Sequence, residues 1–237
     1  YNFFLTLKDK NYGAIIISYS VALISAAFLT SVGLHLFTYC FHFNTTQIPI
    51  VMTCLFVGAI LSQLFWIPLS KKIDKKPTLI WAYITILIGI FLTFFVFLFR
   101  EQFGVTACFW LVLVCITFCG FGTGALYSLP ISMFADNITM DKLRTGENKS
   151  ATYSGYMTFA YNIANSIALL VIGILLDLIK FDPKSPVQAQ KVQSWLGIIV
   201  FGGCAICILI ALLVLKRYNL KRSDILKEQL LAKQKKK

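Results

Sequence analysis

Long apolar runs alternate with short polar segments along most of the chain. Each run holds about 20 residues or more, which at about 1.5 Å per helical residue is enough to cross a hydrocarbon core of about 30 Å. Charged residues are absent from the runs except at their far ends. Because only helices and closed barrels can span a water-free core, the pattern predicts transmembrane helices. There are six of them, at residues 13–40, 48–69, 79–99, 106–134, 151–178 and 196–215.

The six runs predict an all-α membrane protein with one six-helix transmembrane bundle over residues 13–215. Residues 1–12 are interpreted as the remnant of a cytoplasmic linker, since the chain opens on Tyr1 rather than on Met. Residues 216–237 are rich in lysine and arginine and predict a basic cytoplasmic tail.

Basic residues are concentrated in alternate loops. They fill the segment before the first helix, the loops after the second and fourth helices, and the tail, whereas the other loops hold only Arg100, Lys180, Lys184 and Lys191. By the positive-inside rule, both termini are expected in the cytoplasm of a multi-pass protein of the cell membrane. The net charge of +12 then follows from topology, so the expected partner is the lipid bilayer and not a nucleic acid.

The residues that enzymes and metal sites need are scarce. The chain has two histidines, His35 and His42, with no acid at helical spacing from either. Its seven cysteines lie in or at the ends of apolar segments, where a thiol packs as a small hydrophobe. We therefore expect no enzyme, no metal site and no catalytic residues.

One acid interrupts the lysines of the loop after the second helix. Asp74 lies within the sequence Pro68-Leu-Ser-Lys-Lys-Ile-Asp-Lys-Lys76. A short loop of this kind can hold two helix ends together by ion pairs in one conformation and release them in another. The segment is therefore a candidate gate; plain positive-inside anchoring is the alternative, which accounts for the lysines but not for Asp74. Six helices with both ends inside are consistent with half of an ABC-type permease, half of a carrier, or a self-contained channel.

The end of the predicted fourth helix carries the most specific pattern. Ala135 and Asp136 are followed by Asp141, Thr145 and Gly146. This arrangement resembles the Ala-Asp signature, further acids and Thr-Gly pair of the glycoside-pentoside-hexuronide, or melibiose permease-like, cation symporters of the major facilitator superfamily. The resemblance covers nearly the whole chain.

The resemblance implies that the six helices are the seventh to twelfth of a twelve-helix fold, with an N-terminal six-helix half missing. In similar symporters the cation is held largely by acids of that N-terminal half. A coupling Na⁺ or H⁺ is therefore expected there, with no other cofactor. The family commonly carries a lysine in its eleventh helix where this chain has Tyr161, which can hydrogen-bond a solute but supplies no positive charge at neutral pH.

Polar side chains inside the predicted helices mark candidate solute contacts, because such groups normally face a cavity or another helix. In the fifth helix they recur at helical spacing on one face; hydrogen bonding between helices is the alternative interpretation. The full set of substrate-binding candidates is His35, Gln63, Tyr127, Thr158, Tyr161, Asn162 and Asn165.

Closely spaced glycines in the predicted fourth helix, with a proline two turns later, favour bending or close approach of a neighbour. Gly120, Gly122, Gly124 and Pro130 are therefore predicted to let this helix flex.

Charged residues at the predicted cytoplasmic side complete the candidate set. Asp136, Asp141 and Arg144 are expected to pair with the loop around Asp74 or with the other half, and so to act in gating.

Taken with the resemblance, these features predict a secondary active transporter that moves a sugar or similar small polar solute by alternating access, coupled to sodium or protons. A lysolipid or other amphiphile carrier of the same fold is one alternative. A self-assembling six-helix channel or scaffold subunit is another.

Overall fold

The computed structural model describes residues 10–147, 149–183, 185 and 188–234. Within these residues the chain folds into helices and no strand occurs. Six helices are long and apolar enough to cross a membrane, as the hydropathy pattern predicts, so the protein is an integral multi-pass membrane protein. The helices are α1 (Lys10–Tyr39), α2 (Gln47–Ile73), α3 (Lys75–Leu98), α4 (Arg100–Thr145), α5 (Ser150–Leu178), α6 (Gln190–Leu215) and the short α7 (Arg222–Gln234).

Helices α1 and α4 contact each other in the middle of the bundle. Helix α4 packs against α2 and α3, and α1 packs against α5 and α6. Helix α3 also contacts α6. Helices α2 and α5 therefore lie at the two ends of one face, with α1 and α4 between them. Helix α7 packs on α4.

Hydroxyl groups join α1 to α6 across the bundle. Ser18 Oγ donates to the carbonyl of Ala211 at 2.8 Å, and Ser25 Oγ donates to the carbonyl of Cys204 at 3.2 Å. The Cys204 thiol donates back to the Ser25 carbonyl at 3.2 Å. Hydrogen bonds of this kind stabilise helix pairs where no hydrophobic effect acts between helices.

Helix α4 is longer than the apolar pattern predicts. It continues past residue 134 to Thr145 and ends at Gly146, whose left-handed φ of 75° lets its N–H bond to the Lys142 carbonyl at 3.0 Å. The predicted loop over residues 135–150 is thus mostly helix. The charged side chains of this segment lower its hydropathy, but the backbone hydrogen bonds of the helix continue through it.

Polar residues extend other helices as well. Helix α1 already includes Lys10, inside the predicted linker. Helix α3 begins at Lys75, and α6 begins at Gln190 rather than at 196. One residue, Asp74, separates α2 from α3, and its φ of 79° makes the sharp reversal.

Candidate functional site

Helix α5 presents a polar face that the rest of the bundle does not cover. Its buried residues are Tyr153, Ala164, Ala168 and Ile172. Of the candidate residues, Thr158, Tyr161 and Asn162 are exposed and Asn165 is half-buried. The face that carries the predicted solute contacts is therefore open.

The polar side chains of this face do not bind neighbouring helices. Thr158 Oγ1 donates to the carbonyl of Ser154 at 3.1 Å, and Asn165 Nδ2 donates to the carbonyl of Tyr161 at 3.1 Å, both within α5. The Asn162 side chain has no hydrogen-bond partner among the described residues. Interhelical hydrogen bonding, the alternative interpretation, thus does not account for these groups within the described part of the bundle.

Three tyrosines from three helices gather beside this face. Tyr19 of α1, Tyr127 of α4 and Tyr161 of α5 lie close enough for their hydroxyl groups to interact electrostatically. Tyr19 is 6% exposed, whereas Tyr127 and Tyr161 are 44% and 43% exposed. Tyr19 is therefore buried, whereas Tyr127 and Tyr161 are open on the surface of the bundle. We call these three residues the tyrosine cluster.

Sequence reasoning missed Tyr19. A single tyrosine in an apolar run is usually a core residue, and this one does pack its ring 6.2 Å from that of Phe134. The adjacent Ser18 could have indicated Tyr19 from the sequence. Two neighbouring polar residues in the middle of an apolar run point to polar contacts on two sides of α1.

Gln63 lies on α2, at the other end of the open face. Its side chain is half-buried and has no hydrogen-bond partner in the described ranges. One turn further along, Trp66 donates its ring N–H to the Phe121 carbonyl of α4 at 2.6 Å, which fixes the position of α2. Among the described residues, no hydrogen bond joins the Gln63 side chain to the tyrosine cluster.

His35 lies far from the tyrosine cluster. It lies sixteen positions after Tyr19 in α1, which corresponds to about 24 Å of helix. Its ring lies 4.9 Å from Phe181, in the segment that joins α5 to α6. Tyr39 donates to the Pro183 carbonyl at 3.2 Å in the same region. His35 therefore belongs to a cap over the end of α1.

At the opposite end, a group of charges joins three segments. Lys75 Nζ lies 2.5 Å from Asp136 Oδ2 and 3.3 Å from the Ser132 carbonyl. Asp74 accepts the N–H of Lys75 at 2.7 Å and that of Arg222 at 3.3 Å. These contacts, here called the Asp74 cluster, link the α2–α3 turn to α4 and to the start of α7.

A cavity of about 530 Å³ lies beside the Asp74 cluster, between α2, α4 and α7. Its lining includes Ser70 and Lys71 of α2, Ser128 of α4 and Ile225 and Gln229 of α7. The Asp74 cluster thus borders a cavity where α2, α4 and α7 meet.

The other two predicted gating residues lie apart from the Asp74 cluster. Asp141 Oδ2 is 3.9 Å from Lys149 Nζ and is buried without a hydrogen bond. Arg144 is exposed and forms no ion pair among the described residues. The structure thus joins Asp74 and Asp136 and leaves Asp141 and Arg144 at the end of α4.

The glycines predicted to let α4 flex lie in close contacts. A Cβ atom at Gly120 would meet the Leu55 carbonyl of α2, and one at Gly124 would meet Ala59 and Ser62 of the same helix. A Cβ atom at Gly122 would lie 2.6 Å from Ile86 of α3. These three glycines hold α4 against α2 and α3.

The part of α4 around the proline is regular as well. Pro130 is buried within the helix, and the non-helical backbone inside α4 is at Gly104, near its start. Flexing of α4 at the glycines and Pro130 remains a prediction.

Comparison with known proteins identifies a family and a similar protein. The model of a family described as "MFS/sugar transport protein" matches residues 3–222. An uncharacterized symporter of Synechocystis sp. is 25% identical over 76 residues, which is 32% of this chain and 14% of the relative. The match thus covers well under two thirds of that relative's length.

Proposed function

Because the chain belongs to the MFS/sugar transport protein family, we propose that it forms one six-helix half of a secondary active transporter. Its cargo in this proposal is a sugar or a similar small polar solute. The two halves would rock around a site near the middle of the membrane and expose it to each side in turn.

The open polar face of α5 carries the proposal. Thr158, Tyr161 and Asn162 are exposed there, and polar groups that face hydrocarbon cost free energy. A water-filled cavity shared with a second six-helix bundle removes that cost. The missing N-terminal half is the proposed partner that closes the cavity.

The tyrosine cluster is the proposed solute site. Tyrosine hydroxyls donate and accept hydrogen bonds, and their rings stack against the apolar faces of sugar rings. The hydroxyls of Tyr127 and Tyr161 donate no hydrogen bond to any described residue, so both are free to bind a solute. Asn162 offers a further donor and acceptor beside them.

Cation coupling is assigned to the other half of the transporter. The acids nearest the membrane in this chain, Asp136 and Asp177, lie toward the ends of α4 and α5. In this proposal neither acid lies at the middle of the bilayer. Na⁺ or H⁺ would therefore bind to acids that this chain does not supply.

The Asp74 cluster is the proposed gate, on the cytoplasmic side, with both termini in the cytoplasm of a cell-membrane protein. The ion pair of Lys75 and Asp136 holds α3 to α4 when the site is closed from that side. Arg144 and Asp141 would meet charges of the other half in the same state.

The test is uptake of labelled sugars into proteoliposomes that hold the full-length protein, with and without Na⁺ or pH gradients. The proposal expects saturable uptake, competition by one stereoisomer over another, and counterflow. Conductance that does not saturate at low millimolar solute would establish a channel instead. Saturable uptake of lysophospholipids with no sugar competition would establish an amphiphile carrier.

A further inference from the structure

A groove of about 870 Å³ runs between α5 and α6 at the end of the bundle opposite α7. Leu175 and Leu178 of α5 form one wall, and Ile198 and Ile206 of α6 form the other. Phe28 of α1 lies at the floor. The groove is separate from the tyrosine cluster, none of whose residues lines it.

The groove exists because α5 and α6 both pack on α1 and have little contact with each other. Gly202 of α6 leaves space in the groove because it has no side chain, and no atom lies within 4 Å of the position that its Cβ would occupy. The next residue, Gly203, lies directly against the Phe28 ring. Between two transmembrane helices such an apolar groove fills with hydrocarbon and not with water.

Two lysines lie at the rim of the groove. Lys180 follows α5 and Lys191 lies in the first turn of α6, and both line the groove and are exposed. Neither has an ion-pair partner in the described part of the chain. Two acids of this region, Asp177 and Asp182, are exposed, and neither lines the groove. The rim is therefore positive.

A tryptophan beside these lysines fixes the depth of the rim in the membrane. Trp195 lies four residues after Lys191 on α6, lines the groove and is 47% exposed. Tryptophan favours the level of lipid headgroups, and lysine extends its ammonium group toward the same level. The lysines thus lie where a phospholipid carries its phosphate, and the apolar walls lie where it carries its acyl chains.

We propose that this groove binds one anionic glycerophospholipid. An acyl chain lies between α5 and α6 over Phe28, and the headgroup phosphate binds Lys180 and Lys191. The complementary charge selects an anionic lipid over a zwitterionic one with the same chains. The lipid holds α5 and α6 in place on α1.

The test uses the full-length protein, stripped of lipid in detergent and titrated with phosphatidylglycerol or phosphatidylcholine of identical chains, with native mass spectrometry to count bound lipids. We expect one high-affinity phosphatidylglycerol, bound about tenfold more tightly than phosphatidylcholine. The double variant Lys180→Gln/Lys191→Gln should bind both lipids with equal affinity. Lys142→Gln, an exposed lysine at the other end of the bundle, should keep the preference.

A second variant tests the groove itself. Gly202→Leu places a side chain in the open space and should abolish high-affinity binding of both lipids. Ile198→Trp, at an exposed position of the same wall, should do the same if Gly202→Leu fails to fold.

Equal affinity of the unaltered protein for the two lipids would overturn the proposal, as would a preference that survives loss of both lysines. Filling of the groove by a second copy of the chain, seen as a lipid-free dimer, would overturn it as well. Lipid binding needs no transported solute, so failure of the uptake experiment leaves this result intact.

Discussion

The Nζ atom of Lys75 lies 2.5 Å from Oδ2 of Asp136, which ties the first turn of α3 to the extension of α4 that the apolar pattern does not predict. Both side chains are largely shielded, at 22% and 25% exposure. Shielding reduces screening by salt, so this ion pair should contribute more than a fully exposed one.

A double-mutant cycle on Lys75→Gln and Asp136→Asn should give a coupling free energy of about 1 kcal/mol. The measurement is thermal unfolding of each variant in detergent. The charge-exchanged variant Lys75→Asp/Asp136→Lys should recover part of the loss in stability and in uptake rate. Lys72→Gln, an exposed neighbour with no ion pair among the described residues, is the control. Additive single effects would mean that the two residues do not act as a pair.

Loss of the Asp74 carboxylate should release two segments at once. Asp74→Ala removes the cap of α3, which costs about 1 kcal/mol, and removes the acceptor for the Arg222 N–H. We expect faster trypsin cleavage within α7 and a lower unfolding temperature. Asp74→Asn keeps one acceptor oxygen and tolerates the positive φ. Its cleavage rate and unfolding temperature should therefore lie between those of the unaltered protein and those of Asp74→Ala. Unchanged cleavage in Asp74→Ala would contradict the link.

The hydroxyl of Tyr161 should matter for transport and not for stability. Tyr161→Phe removes a group that bonds to no described residue, so its unfolding free energy should stay within about 0.5 kcal/mol of the original. Uptake should show a KM raised about tenfold, which corresponds to one lost hydrogen bond to the solute.

Tyr83→Phe is the matched control for the tyrosine site. Tyr83 is fully buried, and its hydroxyl lies 3.2 Å from Ser18 Oγ. That variant should lose about 1 kcal/mol of stability and leave KM unchanged. An unchanged KM in Tyr161→Phe would exclude the tyrosine cluster as the solute site.

Added volume at Gly124 should destabilise the bundle. The Cβ of Gly124→Ala would meet the Ala59 carbonyl, and a backbone group cannot rotate away, so we expect a loss of about 1–3 kcal/mol. Gly173→Ala, on α5 with nothing within 4 Å, should be neutral or stabilising. The measurement is unfolding in increasing denaturant. Equal effects of the two variants would mean that α2 and α4 can separate at no cost.

Flexing of α4 predicts that Pro130→Ala slows transport. Alanine restores a backbone N–H that proline lacks, which makes the helix stiffer. We expect the uptake rate to fall several-fold, while Pro68→Ala, at an exposed position of α2, changes it little. If Pro130→Ala and Gly122→Leu both leave the rate unchanged, α4 moves as a rigid rod.

The six spanning helices could be predicted because hydropathy is a local property of each segment. The end of α4 could not, since Asp136, Asp141 and Arg144 lower the hydropathy while leaving the helix intact. An apolar run shows where a helix crosses the membrane, and capping geometry such as that of Gly146 shows where the helix stops.

The candidate site was predictable on α5, where Thr158, Asn162 and Asn165 repeat at helical spacing. The part formed by Tyr19 was not, because its nearness to Tyr127 and Tyr161 depends on how α1, α4 and α5 pack. The separation of His35 from these residues is a similar case. Tyr19 and His35 both lie in α1, and only the packing of the bundle shows that Tyr19 belongs to the tyrosine cluster and His35 to the cap over the end of α1.

The hydrogen bonds of Ser18 and Ser25 to α6 also set an order of assembly. Helix α1 is synthesised before α6, and the partners of these hydroxyls, at Ala211 and Cys204, follow them by 193 and 179 residues. Until α6 inserts, Ser18 and Ser25 lack these two carbonyl acceptors. The packing of α1 on α6 therefore forms only after α6 has been synthesised, and a nascent chain halted before α6 should leave that side of α1 exposed to quality-control proteases of the membrane.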